Sequence, residues 1–281
     1  MTVLETLPAT LRLGPVHLTV ADLGRTVAWY ERSLGLTVSA RDSSTAELGD
    51  GAQTLLVLHA DPEAHPPGEH ASLFHYCLNY PTREELARAV LRLRETGTPI
   101  SQLRDRHTHE AIYVADCENN TVELAWDLPR EEWPEDPYGH EPTPLDEAVL
   151  VSTVAGESAP ARPEAGLFVG HVHFSVAPVD CAIEFYRDHL GLELKYRVWY
   201  GAFFSVGGYH HHTAANFRRG ERLDAQPPHT MGLRHWTIEL PESEDVDVAR
   251  ERLSEAGYGT EPIDGGFAVS DPWQLRVHVV S

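Results

Sequence analysis

The chain has 281 residues, 42% of them hydrophobic, and a formal net charge of −21. That length supports two domains of ordinary size, each able to bury a core. So acidic a surface repels phosphate backbones and anionic lipid, which argues against nucleic acid and membranes as partners.

No run approaches 18 consecutive apolar residues, and the N-terminal MTVLETLPATLRLG lacks the basic-then-apolar order of a signal peptide. The three cysteines, Cys77, Cys117 and Cys181, are isolated and odd in number, so neither a disulfide framework nor a CxxC metal site is expected. A reducing, cytoplasmic setting is the expectation.

In chain order, Val16, Leu18 and Val20 alternate as a strand. Asp22 then opens a helix with Leu23, Val27, Trp29, Tyr30 and Leu34 as its apolar stripe, and Gly35 stands where a C-cap belongs. Strand-like runs follow at 36–40, 45–48 and 53–59. The same grammar returns with a strand at 72–79 and a helix at 82–96. Thr82 is the expected N-cap of that helix, Glu85 stands at its third position, and Gly97 ends it. Strands are expected next at 111–115 and 121–126.

Residues 129–166 are rich in Pro, Glu, Ala and Ser and read as a linker, packed along one module near Trp133 and Tyr138. Residues 169–194 then repeat 13–38 without a gap at an offset of 156, with nine of 26 positions identical, His17/His173 and Tyr30/Tyr186 among them. A repeat this long implies homologous modules. The last quarter reads as a strand at 232–240, a helix at 243–256 and strands near 266–270 and 274–280.

The expected fold is therefore α+β. Four βαβββ units pair into two modules, each a cupped mixed sheet with helices outside. Module boundaries are expected at 10–128 and 167–281, with 129–166 between them.

The chain holds 17 histidines, and a few fall into a pattern. His17 and His75 lie in the first strands of units one and two, and Glu123 in the last strand of unit two. All three stand among apolar neighbours (Val16-His17-Leu18, Phe74-His75-Tyr76, Val122-Glu123-Leu124). A polar side chain there needs a partner, or burial costs roughly 2–7 kcal/mol for an unpaired neutral group. A single strand histidine is more often a satisfied core residue. Three such groups at equivalent points of a repeat point to one divalent metal. Two imidazoles and one carboxylate are the ligand set of non-heme Fe(II) oxygenases.

The second module offers His173, His235 and His278 at matching places, three histidines that suit Zn(II). Tyr209, His210 and His212 form a further cluster, read as structural or pocket-lining, with a role in binding substrate or metal as the alternative. Tyr76, Trp126, Phe204 and Trp236 are candidates for either pocket or core.

The segments GPVHLTV (14–20), FHYCLNYPTREELARAVLRL (74–93), EAIYVADCENNTVEL (110–124), GHVHFSV (170–176) and GGYHHH (207–212) resemble the vicinal-oxygen-chelate superfamily of glyoxalase I, bleomycin-resistance proteins and extradiol dioxygenases. The closest likeness is to its two-module catechol-2,3-dioxygenase-like group, over nearly the whole chain. The resemblance implies a metal held by His17, His75 and Glu123. It also implies an acid–base histidine, His107 or His109, and a hydrogen-bonding Tyr113. Cys117 and Asn119 stand where the family pattern has Pro and Gly in a turn.

The implied activity is Fe(II)-dependent extradiol cleavage of a catecholic ring with O2, in aromatic-compound catabolism. Mn(II), Zn(II), Ni(II) and Co(II) are the alternative metals. The alternative functions are a glyoxalase-like isomerase or epimerase and a drug-sequestering binding protein. The superfamily often self-associates, so a homo-oligomer is a further expectation.

Overall fold

The structure is a computed structural model describing residues 6–281; Met1–Glu5, the start of the N-terminal stretch, lie outside the described residues. Among the described residues no helix is long and apolar enough to cross a membrane.

Four successive strand–helix–strand repeats are present. The first runs Val16–Val20, Leu23–Trp29, Thr37–Arg41, Thr45–Gly49 and Thr54–Ala60. The second runs Ser72–Asn79, Arg83–Thr96, Ile100–Asp105, His109–Ala115 and Thr121–Asp127. The third has strands Phe168–Ser175, Glu193–Val198, Gly201–Ser205 and Thr213–Asn216 with a helix at Val179–Ile183. The fourth has strands Gly232–Glu239, Thr260–Ile263, Gly266–Ser270 and Arg276–Val280 with a helix at Ser243–Glu255.

The caps explain the helix boundaries. The Asp22 carboxylate accepts from the Arg25 N–H, and the Thr82 hydroxyl accepts from the Glu85 N–H. Gly35 and Gly97 close their helices with φ of 71° and 66°, a region that costs most residues a Cβ clash. One feature the periodicity does not foretell is a widened π turn, at Tyr30–Leu34 and again at Glu184–His189. Each holds a tyrosine that reaches a buried aspartate of the following repeat. Tyr30 donates to Asp116 at 2.8 Å, and Tyr186 donates to Asp271 at 2.9 Å.

The chain folds into two compact units that interleave along the sequence. One contains the stretch up to Thr19, Ala64–Phe74 and His171–Ser281; the other contains Val20–Glu63 and His75–Gly170. In the first, strand Val16–Val20 pairs antiparallel with Gly232–Glu239, setting His17 opposite His235. Arg276–Val280 pairs with the same strand in parallel, Thr237 opposite His278. The backbone groups of Gly232–Glu239 are thus satisfied by partners drawn from both ends of the chain, leaving no exposed edge along this row. In the second unit, His109–Ala115 lies antiparallel to Thr121–Asp127, Tyr113 opposite Glu123. His75–Asn79 lies parallel on the other side, Cys77 opposite Glu123.

The stretch expected as a linker packs on the second unit. It forms a short helix, Glu147–Ser152, whose Glu147 pairs with Arg94 of helix Arg83–Thr96. Arg88 of that helix binds Glu157 at 2.7 Å, and Arg92 donates to the Pro160 carbonyl at 3.0 Å. Near Trp133, the indole N–H donates to the Leu128 carbonyl.

Candidate active site

Strand Thr121–Asp127 is central in its sheet, with Val122 and Leu124 fully buried against helix Arg83–Thr96. Side chains alternate along a strand, so Glu123 points to the opposite face. There its carboxylate, 1% exposed, meets two imidazoles. His75 Nε2 lies 3.0 Å from one oxygen and His109 Nε2 lies 3.1 Å from the other. Three strands of one unit thus deliver two histidines to one buried acid.

The far side of His109 is also fixed. Thr108 Oγ1 lies 2.9 Å from His109 Nδ1. An ionised carboxylate can only accept, so on the neutral ring Nε2–H donates to Glu123 and Nδ1 accepts from the Thr108 hydroxyl.

Tyr113 completes the group. Its ring stands edge-on to His75, with centroids 5.7 Å apart. Arg106 donates to the Tyr113 hydroxyl from Nη2 at 2.8 Å and from Nε at 3.2 Å. Burial holds the phenol pKa well above its usual value, the negative Glu123 raises it further, and Arg106 pulls it back. The phenol therefore stays protonated at neutral pH and serves as a donor.

Of the two histidines expected to compete for the acid–base role, His109 faces the carboxylate. His107 sits in the hairpin turn with φ 67°, and its Nε2 lies 3.1 Å from the Glu141 carbonyl oxygen.

The structure sorts the remaining histidines differently from the sequence expectation. His17 lies over His235, ring centroids 3.8 Å apart, and His235 lies over His278 at 3.7 Å with planes only 16° apart. The reason is the pairing of Val16–Val20 with Gly232–Glu239, which lines up three adjacent strands with a histidine on each. His278 is pushed down to about 4, first by burial and then by Arg276 and Arg234.

His173, expected beside His235 and His278, instead meets the Asn216 side-chain amide at 2.9 Å and stands edge-on to Phe74. Its strand neighbour His171 joins His210 and His211, and the ligand atoms of these three lie within 4.8 Å of one another. His212 turns to Ser205, with Nδ1 2.8 Å from Oγ, and Tyr209 packs over His210. Tyr76, Phe204 and Trp236 are core, fully enclosed, and Trp126 is half-buried.

Three residues of these clusters were not legible beforehand: Arg106, His171 and His211. The HVH spacing at 171–173 carries a signal for His171, because i and i+2 share a strand face. The gap-free repeat favours His173 over it.

A family model for the Glyoxalase/Bleomycin resistance protein/Dioxygenase superfamily matches residues 12–141 and 168–279. The catechol-2,3-dioxygenase of Bacillus subtilis (strain 168) is 32% identical over 268 residues, spanning 92% of this chain and 93% of that one. Among solved structures, a Bacillus subtilis protein assigned as a dioxygenase aligns with a TM-score of 0.68 at 14% identity, covering 99% of this chain and 86% of the other. Glyoxalase I from Zea mays aligns at 0.57 and 14% identity, covering 97% and 92%. At these identities the structural likeness speaks for the fold alone.

Proposed function

The chain belongs to the glyoxalase/bleomycin resistance protein/dioxygenase superfamily, and we propose that within it the chain is an extradiol-type ring-cleavage dioxygenase acting on a catecholic ring with Fe(II) and O2. The observation that carries this is the convergence of His75 and His109 on the buried Glu123 carboxylate. An imidazole and a carboxylate from His75 and Glu123, with a second imidazole beside them for proton transfer, suit non-heme Fe(II) better than an all-oxygen site for Mg(II) or a thiolate site would. A catechol-2,3-dioxygenase as the 32% relative supports the same chemistry.

His75 and Glu123 would hold the metal. Fe(II), when bound there, supplies a Lewis acid that lowers the pKa of a ring hydroxyl and offers open positions to two vicinal oxygens and to O2. His109 is the acid–base group. With Glu123 given over to the metal, Nδ1–H would donate to the Thr108 hydroxyl, which accepts as readily as it donates, and the Nε2 lone pair so freed would take a proton from a ring hydroxyl and later return it to the opening product. Tyr113, held protonated by burial and steadied by Arg106, donates to negative charge developing on the ring oxygens.

The test is oxygen uptake with anaerobically iron-loaded, untagged protein and a panel of catechols, together with the yellow absorbance of a ring-fission product. Uptake in step with the yellow product supports the proposal. If no catechol consumes O2 above the iron-only blank, it fails. A separate variant assigns His109: His109→Gln is expected to keep its iron and lose turnover, whereas loss of iron would make His109 a ligand instead.

A further inference from the structure

We propose that Tyr76 is a positioning residue: its hydroxyl, acting through Tyr30 and Asp116, holds the strands that carry His75 and Glu123 in one fixed relation. This role rests on the reading of His75 and Glu123 as the residues that hold the metal. It lies on the opposite face of the sheet from them.

His75 and Tyr76 are consecutive on strand Ser72–Asn79, so their side chains leave by opposite faces. His75 goes to the Glu123 carboxylate, and Tyr76 goes into the core, where it is fully enclosed. A phenol hydroxyl buried there needs a partner. It donates to the Tyr30 hydroxyl at 2.8 Å, and Tyr30 donates to Asp116 at 2.8 Å. Both bonds run in one direction and end on a carboxylate, the arrangement in which each bond polarises and strengthens the next.

Asp116 is the fixed end. It is 4% exposed, and it also accepts from the Glu118 and Asn120 N–H groups at 2.8 Å and from the Asn120 side-chain amide at 2.9 Å. These bonds shape the turn that feeds directly into strand Thr121–Asp127, which carries Glu123. That strand lies parallel to Ser72–Asn79, with Tyr76 opposite Val122 and Cys77 opposite Glu123. The Tyr76–Tyr30–Asp116 chain therefore ties the two strands a second time, from the core side. It does so one residue from His75, whose Nε2 meets Glu123 across 3.0 Å. Tyr30 reaches both partners from the start of the π turn Tyr30–Leu34, a kind of turn frequent at functional sites.

The other copy of the repeat lacks the third group. Tyr186 donates to Asp271 at 2.9 Å, so the first bond is present. Trp236 follows His235 as Tyr76 follows His75, and its buried indole N–H has no hydrogen-bond partner among the described residues. His278 stands there in place of Glu123. The complete chain is found with the carboxylate, and the broken one without it.

Tyr76→Phe removes one oxygen and keeps the ring. Wild type, Tyr76→Phe, Tyr30→Phe, the double variant and Trp236→Phe are compared as untagged full-length chains. Each is measured well below its own unfolding midpoint, so that lost stability alone leaves folded molecules with wild-type properties. In the metal-free chain, the imidazole 15N and N–H proton signals of His75 are expected to move in Tyr76→Phe and to stay in place in Trp236→Phe. Co(II) affinity, read against a chromophoric chelator, is expected to fall about tenfold in Tyr76→Phe, the low end of what supporting residues around a metal cost when removed. Tyr30→Phe should lose a similar factor, and the double variant no more than either single one, because one chain is broken only once.

Folded Tyr76→Phe with wild-type His75 signals and wild-type Co(II) affinity overturns the proposal, and so do losses that multiply in the double variant. If Tyr76→Phe does not fold, Tyr30→Phe is judged by the same two readouts. Neither readout uses ring cleavage. A wild-type chain that cleaves no catechol, with both readouts moved by Tyr76→Phe, upholds the positioning role while the dioxygenase reading fails. Catechol cleavage with both readouts unmoved does the reverse.

Discussion

Two groups share matched strand positions of the repeat, His75 with His235 and Glu123 with His278, yet they are built differently. In one, His75 and His109 turn their Nε2 atoms onto Glu123 from opposite sides. In the other, His17, His235 and His278 lie face over face across three adjacent strands. A carboxylate is what separates them. Glu123 is buried and acceptor-only, so neighbouring imidazoles satisfy it and themselves by pointing donor edges inward. The row has a histidine where the other group has the acid. Its rings stack on one another. On the reading proposed above, the charge at the last strand, and not strand position alone, is what makes a metal site.

The sharpest way to break that comparison is Glu123→Gln. Metal retention should collapse, and turnover should fall on the order of a thousandfold, equivalent to about 4 kcal/mol of lost transition-state stabilisation. Iron content after desalting and initial rates of O2 uptake check this. Next in size is His109→Gln, with kcat expected to fall about 10²- to 10³-fold while iron content stays at the wild-type level.

The comparison can also be run in reverse. His278→Glu places a carboxylate beside His17 and His235. The rings should leave their stack, and a new site for Co(II) or Zn(II) should appear, read as added metal per chain over the wild type. If the variant binds no additional metal, the charge is not the deciding difference.

A smaller contrast lies in the buried turns. Asp116 accepts from Tyr30, from the Glu118 and Asn120 N–H groups and from the Asn120 side-chain amide. Asp271 accepts from Tyr186 and from the Trp273 and Leu275 N–H groups, with leucine where the first turn has asparagine. Burial raises both, and Asp271 reaches about 7.

A raised carboxylate binds its proton more tightly in the folded chain than in the unfolded one. Stability should therefore fall as pH rises from about 4 to about 7 and level off above that, by on the order of 4 kcal/mol at most. Asp271→Asn should remove this slope, as denaturant midpoints measured across that pH range would show. A slope unchanged by the substitution would contradict the assignment. Last and smallest, His235→Ala should cost about 1 kcal/mol of stability and leave ring-cleavage rates unaltered.

Much of this was legible in the sequence. Alternation and the repeat mark four strand–helix–strand units, and Asp22, Thr82, Gly35 and Gly97 mark helix ends through local chemistry that needs no tertiary information. His75, Glu123 and the rivalry of His107 with His109 follow from residues less than 50 apart on consecutive strands. The placing of His17 does not. Its strand pairs with one more than 200 residues later, and no local signal distinguishes that partner from a nearer one. The exchange of His173 for His171 has a related cause. Both lie on one strand face, so a gap-free repeat cannot choose between them. The choice is made by where the Gly207–Gly208 turn sets His210 and His211 down.

The most direct test of the central claim compares anaerobic Fe(II) binding in three chains: wild type, Glu123→Gln and His278→Ala. The account predicts tight iron in wild type and His278→Ala, and its loss in Glu123→Gln. Iron retained in Glu123→Gln and lost in His278→Ala would place the working metal on the stacked row and contradict it.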